Sequence, residues 1–217
     1  VNIDGNVDRD IEREDDKWFL DPRIEESEQT NNVVYTANPL DRGHLIRRLD
    51  PAWGDTMQLA KVANDDTFHF TNCAPQHKDF NRNQTTWAGL EDYILENANV
   101  EDLRVSVFTG PVFSDQDLPY RGVQLPKQFW KVVVMLKEDG TLSATAYLLS
   151  QDRLLQDLEE FSFGAYKTYQ VPVRKVEELT SLGFGDLKSF DPTESQEGFD
   201  QESLGVQEIA SYEDLKL

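Results

Sequence analysis

The chain has 217 residues and a formal charge of −20 at pH 7, with 38% hydrophobic and 29% charged residues, a composition typical of one large or two small globular domains. This acidity argues against tight, salt-driven binding of nucleic acid, which needs Lys and Arg to displace counterions, but it is compatible with a small local phosphate site. No apolar run approaches the ~18 residues of a membrane span, and the single cysteine, Cys73, excludes an internal disulfide.

The N-terminal segment predicts little regular structure. Residues 1–33 are rich in Asp, Glu and Asn, as irregular segments are. The opening VNIDGN is typical of a strand end that runs into a turn, so we interpret this start as the result of processing, truncation or an omitted leader. The run VVYT, residues 33–36, predicts a short strand that leads into DRGHLIRRLD.

The middle of the chain predicts one strand and one helix. The alternating pattern of DTFHFTN, residues 66–72, is that of a strand. From Thr86 to about Asn97 the apolar residues recur at the spacing of an amphipathic helix. These apolar residues are Trp87, Leu90, Tyr93, Ile94 and Leu95.

The second half of the chain predicts antiparallel strands. RVSVFTGPVF, residues 104–113, is a strong strand pattern that ends in a turn. Residues 129–150 form two strand-like runs joined at Asp139-Gly140, a pair typical of hairpin turns.

Towards its end the chain predicts a short helix and then a tail. The segment QVPVRKVEELTSLGF begins extended and predicts a helix from about Lys175. Residues 191–217 predict an acidic tail, disordered or loosely docked, after a domain that spans 1–190. The elements together predict an α+β fold with an antiparallel sheet core and packed helices.

Four short segments carry the residues of a possible active site: DRGH (41–44), TNCAPQ (71–76), FNRNQTTW (80–87) and GLED (89–92). Each segment alone is a weak signal, because a lone His, an Asn after a strand and a Glu on a helix usually have structural or solvent-exposed roles. The segment DRGHLIRRLD, however, places a His among three Arg, and this concentration of cations predicts a phosphate site.

Together the four segments resemble the DNA/RNA non-specific endonucleases, the sugar-non-specific family that includes endonuclease G. Members carry DRGH, a T/S-N-x-x-PQ segment, a second Asn nine residues after the first, a Trp and an LE pair. Further likeness in FTGPVF, PKQFWKVVV and AYLLSQ extends the resemblance over about residues 1–190. The resemblance implies a ββα-metal (His-Me finger) fold, although members normally have one or two more strands before VNIDG.

Hydrolysis of a phosphodiester needs a base for water and positive charge at the phosphoryl oxygens. His44 is the predicted general base, since an imidazole is partly neutral at physiological pH. The resemblance implies Mg²⁺, replaceable by Mn²⁺ or another divalent cation, held by the amide oxygen of Asn81 and by waters that Glu91 orients. Such a hydrated oxygen shell suits Mg²⁺.

The metal ligand has an alternative in Asn83. Asn81 keeps the nine-residue spacing to Asn72, whereas Asn83 keeps the family's spacing to Trp87 and Glu91, as an insertion of two residues would explain. We predict Asn81, because it follows Phe80 where the family has an apolar residue before its ligand.

The remaining site residues are predicted to hold phosphate or to support the loop. Arg42 and Arg13, which precedes KWFLDPRI, are the predicted phosphate ligands, because guanidinium presents a planar fork of donors. Arg47 and Arg48 either extend this cationic path or are solvated and pair with Asp50. The supporting residues are Asp41, which pairs with an arginine or holds the turn, Gly43, which permits a tight turn, and Asn72, which supports the His loop or the metal site.

The sequence therefore predicts a metal-dependent, sugar-non-specific endonuclease with DNA and RNA as substrates. The alternatives are an inactive or weak member of the fold that only binds nucleic acid or protein, and a phosphodiesterase for small molecules. A nuclease of this kind would damage its own cell, so we expect secretion to the extracellular space or periplasm, an organelle, or an inhibitor protein. The sequence does not predict an oligomeric state.

Overall fold

A six-stranded antiparallel sheet is the centre of the structure, a computed structural model that describes residues 1–81, 104–137, 139–151, 167–194 and 207–208. The predicted strand at 104–113 and the predicted hairpin are both confirmed, and the hairpin turns at Gly140 with a positive φ of 79°. In spatial order the strands are β1 (Asn2–Asp4), β4 (Arg104–Val112), β7 (Gln128–Leu136), β8 (Leu142–Ser150), β9 (Lys167–Val171) and β10 (Gln207–Glu208).

The two faces of this sheet bury different partners, because successive strand residues point to opposite sides. One face packs against helix α4 (Val173–Thr180), which begins two residues before the predicted Lys175. The other face packs against a ribbon and a short helix that carry Ala74 and Phe80. Phe80 is fully buried, and burial of such a ring contributes about 1.5–3 kcal/mol to holding this segment on the sheet.

The ribbon is a separate two-stranded sheet of β2 (Leu40–His44) and β3 (Cys73–His77), followed directly by α3 (Lys78–Asn81). In its antiparallel register Gly43 lies opposite Ala74 and His44 lies opposite Cys73. A Cβ at Gly43 would lie 2.1 Å from Oε1 of the buried Gln76, so this position accepts only glycine without repacking. The ribbon places His44 at the end of its strand.

Two predicted strands are wrong. Residues 33–36 fall in a one-turn helix, α1 (Asn32–Tyr35), because the Asn31 side chain accepts a hydrogen bond from the Val33 N–H. Arg121, from the turn between β5 (Leu118–Tyr120) and β6 (Val123–Leu125), donates to the carbonyls of Val33 and Thr36 at 2.7 and 2.6 Å. A distant hairpin therefore stabilises a helix that its β-branched residues disfavour.

The second wrong strand is residues 66–72. This segment contains the end of α2 (Met57–Asp66), a turn, and a 3₁₀ turn at Phe70–Asn72, and the strand is the segment that follows, β3. The alternating apolar pattern of residues 66–72 reflects a single isolated bridge and not a strand. In this bridge the backbone groups of residues 68 and 70 exchange hydrogen bonds with Phe19.

Part of the predicted tail contacts the domain. The carboxylate of Asp191, which is buried, accepts the backbone N–H of Val173 at 2.7 Å, and Gln207 and Glu208 pair with β9. The boundary at residue 190 stays a prediction. The predicted helix at 86–97 lies outside the described residues, and among the helices that are described none has the length and apolar character to cross a membrane.

Candidate active site

A cleft of about 700 Å³ opens beside the end of β2 and brings together residues from three distant parts of the sequence. Four arginines and two aspartates line it, so its lining is cationic in a chain whose formal charge is −20. Most of the predicted site residues line this cleft. Gly43 lies in the ribbon next to it, and Asn72 contacts the loop that follows His44. The lining residues are Arg13, Asp16, Trp18, Asp41, Arg42, His44, Arg47, Arg48, Leu49 and Asn81.

Asn72 holds the loop that follows His44. Its backbone oxygen accepts the N–H of Leu45 at 2.9 Å, and its side-chain oxygen accepts the N–H of Ile46 at 3.1 Å. Its side-chain nitrogen donates to the carbonyls of Ile46 and Thr67, both at 2.9 Å. One amide thus joins the His44 loop to the turn after α2.

Aromatic rings and one hydroxyl surround the imidazole of His44. The ring centroids of Trp18 and Phe68 lie 4.6 and 4.8 Å from that of His44. Oγ1 of Thr67 lies 3.4 Å from Nε2 and donates its hydrogen to the carbonyl of Asn64 at 2.7 Å. Because a hydroxyl has a single hydrogen, Thr67 accepts from an Nε2–H of His44, and this tautomer leaves the Nδ1 lone pair free to take a proton.

Burial and neighbouring charges keep this imidazole neutral. Loss of solvent is the largest effect and lowers the pKa of His44 to about 4. The Asp16 carboxylate acts in the opposite direction, and the guanidinium groups of Arg13, Arg48 and Arg47 lower the pKa further. The imidazole of His44 is therefore neutral throughout the neutral pH range.

We expect His44 to titrate near pH 4 in the folded protein, well below the value of about 6.5 for a free histidine. NMR of the imidazole carbons as a function of pH, with the resonance assigned by its loss in His44→Gln, measures this midpoint. Between pH 6.5 and 4 the unfolded chain binds more protons at this residue, so its contribution lowers the stability of the fold as the pH falls. A midpoint close to 6.5 would contradict the described environment.

Arg42 lies beside His44 on β2 and is held from two sides. Its Nη2 donates to Oδ1 of Asn32 at 2.6 Å, and its guanidinium carbon lies 5.2 Å from the ring centroid of Tyr35. Its Nε is buried without a hydrogen-bond partner among the described residues, which costs about 1–3 kcal/mol for such a donor. An anion bound in the cleft would satisfy it.

The other three arginines differ in what they contact. Arg13 is paired with Asp16: its Nε donates to Oδ1 at 3.0 Å and its Nη2 donates to Oδ2. Arg48 donates to the carbonyl of Ile11 at 2.7 Å. Arg47 binds the buried carboxylate of Asp50 through its backbone N–H at 3.2 Å, and its side chain lines the cleft. Both residues line the cleft; Arg47 contacts Asp50 through its backbone, whereas Arg48 is bonded to Ile11, and their role in binding phosphate stays a prediction.

Asn81, the last residue of α3, enters the cleft opposite the arginines. Its Nδ2 donates to Oδ2 of Asp41 at 3.1 Å, so the amide oxygen is the atom left to bind a cation. Among the described residues, no three or more His, Cys, Asp or Glu side chains form a group that could hold a metal ion. An amide oxygen is a type of ligand that a hydrated Mg²⁺ ion accepts. Asn83 and Glu91 lie outside the described residues.

Three residues at this site escaped the sequence analysis: Trp18, Thr67 and Asp16. Trp18 belongs to the KWFLDPRI segment and could have been noticed there as an aromatic residue near the predicted Arg13. Thr67 and Asp16 carry no local signal, because their roles depend on contacts with residues far away in the chain or on the shape of the cleft.

Comparisons with known proteins show which family this chain belongs to. A sequence profile of the DNA/RNA non-specific endonucleases matches residues 1–190. An uncharacterized protein, y4fB of Sinorhizobium fredii, is 42% identical over 86% of this chain and 30% of its own length. A nuclease of Nostoc sp. is 30% identical over 70% of this chain and 52% of its own, and human mitochondrial endonuclease G is 24% identical over 81% and 58%.

The fold is also found in a solved structure. A crystal structure of the EndoG/EndoGI complex matches with a TM-score of 0.62 and 21% identity, over 86% of this chain and 76% of that one. This match confirms the predicted α+β class with its antiparallel sheet core. This chain spans between 30% and 58% of the length of these three curated relatives. The profile match over residues 1–190 confirms the resemblance, and the chain belongs to the DNA/RNA non-specific endonuclease family.

Proposed function

We propose that this chain is a divalent-metal-dependent endonuclease that hydrolyses phosphodiester bonds in both DNA and RNA. The observation that carries this proposal is the cleft itself, where a neutral imidazole lies among four guanidinium groups. A base that is unprotonated at neutral pH can accept a proton from water, and the arginines supply positive charge where the phosphoryl group gains negative charge.

His44 is the proton acceptor in this proposal. Thr67 holds the Nε2–H, so Nδ1 takes the proton of the attacking water, and the rings of Trp18 and Phe68 hold the imidazole plane. The loop after His44 is fixed by Asn72, which limits the rotation of the base away from the cleft. Positioning of this kind lowers the entropic cost of the proton transfer.

Arg42 and Arg13 are the proposed phosphate ligands. Arg42 lines the cleft, and its guanidinium is a type of group that can donate to a phosphoryl oxygen. Arg47 and Arg48 also line the cleft, and their positive charges contribute to the lowered pKa of His44. Contacts to phosphate and sugar position a nucleic acid without reading its bases, so little sequence preference is expected.

Asn81 would hold the metal ion through its amide oxygen, with Asp41 fixing the amide nitrogen. When bound, a divalent cation supplies positive charge to the phosphoryl group and to the leaving oxygen. Glu91 is proposed to orient waters of the ion.

Incubation with supercoiled plasmid and with a structured RNA tests the proposal directly. With Mg²⁺ or Mn²⁺ we expect both substrates to be cut, leaving 5′-phosphates, and with a chelator we expect neither to be cut. Binding without turnover at any metal concentration would instead support an inactive member of the fold. Rapid hydrolysis of a chromogenic small phosphodiester without plasmid nicking would support the small-molecule alternative.

A further inference from the structure

Asp16 is an acidic residue in a cleft that otherwise suits an anion. Its carboxylate accepts from both Nε and Nη2 of Arg13, so it covers one complete side of the guanidinium fork. This pair is open to solvent, with 61% of the Arg13 side chain and 34% of the Asp16 side chain exposed. The pair can therefore open without unfolding any part of the protein.

We propose that Asp16 is a specificity-determining residue: it occupies two donors of Arg13 that would otherwise bind phosphate, and it selects internal phosphodiesters over terminal phosphates. This inference rests on the proposed function, because it assigns Arg13 to phosphate. Both the carboxylate and a phosphate use the two parallel donors of an arginine, so they compete for the same atoms.

Displacement of Asp16 costs a similar free energy for every ligand that binds these donors of Arg13, so strong binding requires further contacts in the cleft. A phosphodiester within a chain can bind Arg42 and the other cleft arginines while it displaces Asp16 from Arg13. An anion that depends on Arg13 alone gains little by the exchange, because an exposed ion pair of this kind is replaced by another of similar strength.

The charge of the ligand gives a second reason for the site to prefer the diester over a terminal phosphate. Hydrolysis adds water across the ester bond and leaves a 3′-hydroxyl and a 5′-phosphate, which carries about −1.5 to −2 charges at pH 7 rather than the single charge of the diester. The displaced carboxylate of Asp16 stays tethered three residues from Arg13 and repels the product more strongly than the substrate. Asp16 therefore promotes product release.

Asp16→Asn tests this inference against Asp15→Asn, which removes the same charge from the adjacent residue. Asp15 lines a neighbouring cavity and does not line the cleft. We expect Asp16→Asn to bind thymidine 5′-phosphate about fivefold more tightly than the parent, since one charge at ~4 Å in water is worth a factor of this order. Asp15→Asn should stay within about twofold. Calorimetry on the full chain in chelator measures this binding without turnover.

Steady-state cleavage of a fluorescent oligonucleotide then gives the selectivity. In Asp16→Asn the inhibition constant of thymidine 5′-phosphate should fall further than KM for the oligonucleotide, by an additional factor of up to about fivefold, because the terminal phosphate carries up to one more negative charge than the diester. Equal tightening of both ligands, tightening no greater than in Asp15→Asn, or no binding of thymidine 5′-phosphate to any variant overturns the inference. Weaker binding would also overturn it and would make Asp16 a residue that positions Arg13.

The binding measurement and the cleavage measurement together separate this inference from the proposed function. If the parent cuts no nucleic acid but Asp16→Asn still binds thymidine 5′-phosphate more tightly than Asp15→Asn, the endonuclease proposal fails and the role of Asp16 on Arg13 stands. If the parent cuts and the two variants bind alike, the endonuclease stands and the role of Asp16 fails.

Discussion

Replacement of His44 by alanine should lower kcat for plasmid cleavage by about 10³-fold, with little change in KM. A positioned general base contributes about 10²–10⁴-fold, and the environment of His44 keeps its imidazole neutral with Nδ1 free. The arginines of the cleft are untouched by this change, so binding of the substrate should persist. Initial rates at saturating plasmid and Mg²⁺ measure kcat.

Two controls separate chemistry from folding. His69→Ala removes an imidazole outside the cleft, one whose Nδ1 lies 2.9 Å from the carbonyl of Asp66, and should cut like the parent. Added imidazole should restore part of the activity of His44→Ala, because the space between Trp18 and Phe68 is left open for a small base. A His44→Ala variant that cuts as fast as the parent would remove His44 as the base.

The central sheet was predictable from the sequence because its signals are local. In the strand at 104–112, buried residues alternate with less buried ones from 104 to 108, and the Asp139-Gly140 turn carries its own hydrogen bonds to Thr141. Neither feature needs information from another part of the chain.

The segments that were predicted wrongly depend on distant contacts. Residues 33–35 are helical partly because Arg121, 88 positions after Val33, donates to the carbonyls of Val33 and Thr36. Helix α2 was missed because its pattern is weak: only Ala60 and Asn64 are buried, while Met57 and Leu59 are exposed. Tertiary contacts outweigh propensity in α1, whereas α2 has a weak apolar pattern of its own.

The candidate site likewise contains some residues that the sequence predicted and other features that it could not predict. The DRGH and FNRNQ segments predicted that His44, Arg42 and Asn81 belong to one site, and all three line one cleft. The tautomer set by Thr67 could not be predicted, because it requires knowing that the hydroxyl already donates to a carbonyl. The charge balance set by Asp16 could not be predicted either, since it follows from which side of the Arg13 fork the carboxylate covers.

Replacement of Asn81 by alanine should raise the Mg²⁺ concentration needed for half-maximal activity by about 100-fold or more. Loss of a single hydrogen-bonding residue around a bound metal typically costs 10–100-fold, and Asn81 is proposed to contact the ion directly. Asn83→Ala, the same change two residues later, should shift this concentration by less than about threefold, since Asn83 is not the proposed metal ligand. Rates measured across a Mg²⁺ series, and Mn²⁺ binding followed by electron paramagnetic resonance without substrate, give the two constants independently of each other.

A substitution at Asp41 adds a further test of whether Asn81 or Asn83 is the metal ligand. Because Asp41 accepts the Nδ2–H of Asn81, Asp41→Ala frees the amide to rotate and should weaken Mn²⁺ binding by about tenfold, less than Asn81→Ala does. Asn81→Asp keeps an oxygen at the same position and should retain most of the metal affinity, although two acidic side chains would then face each other. If Asn83→Ala weakens Mn²⁺ binding and Asn81→Ala does not, the ligand is Asn83, and the contact between Asn81 and Asp41 serves only to hold the end of α3 on the ribbon.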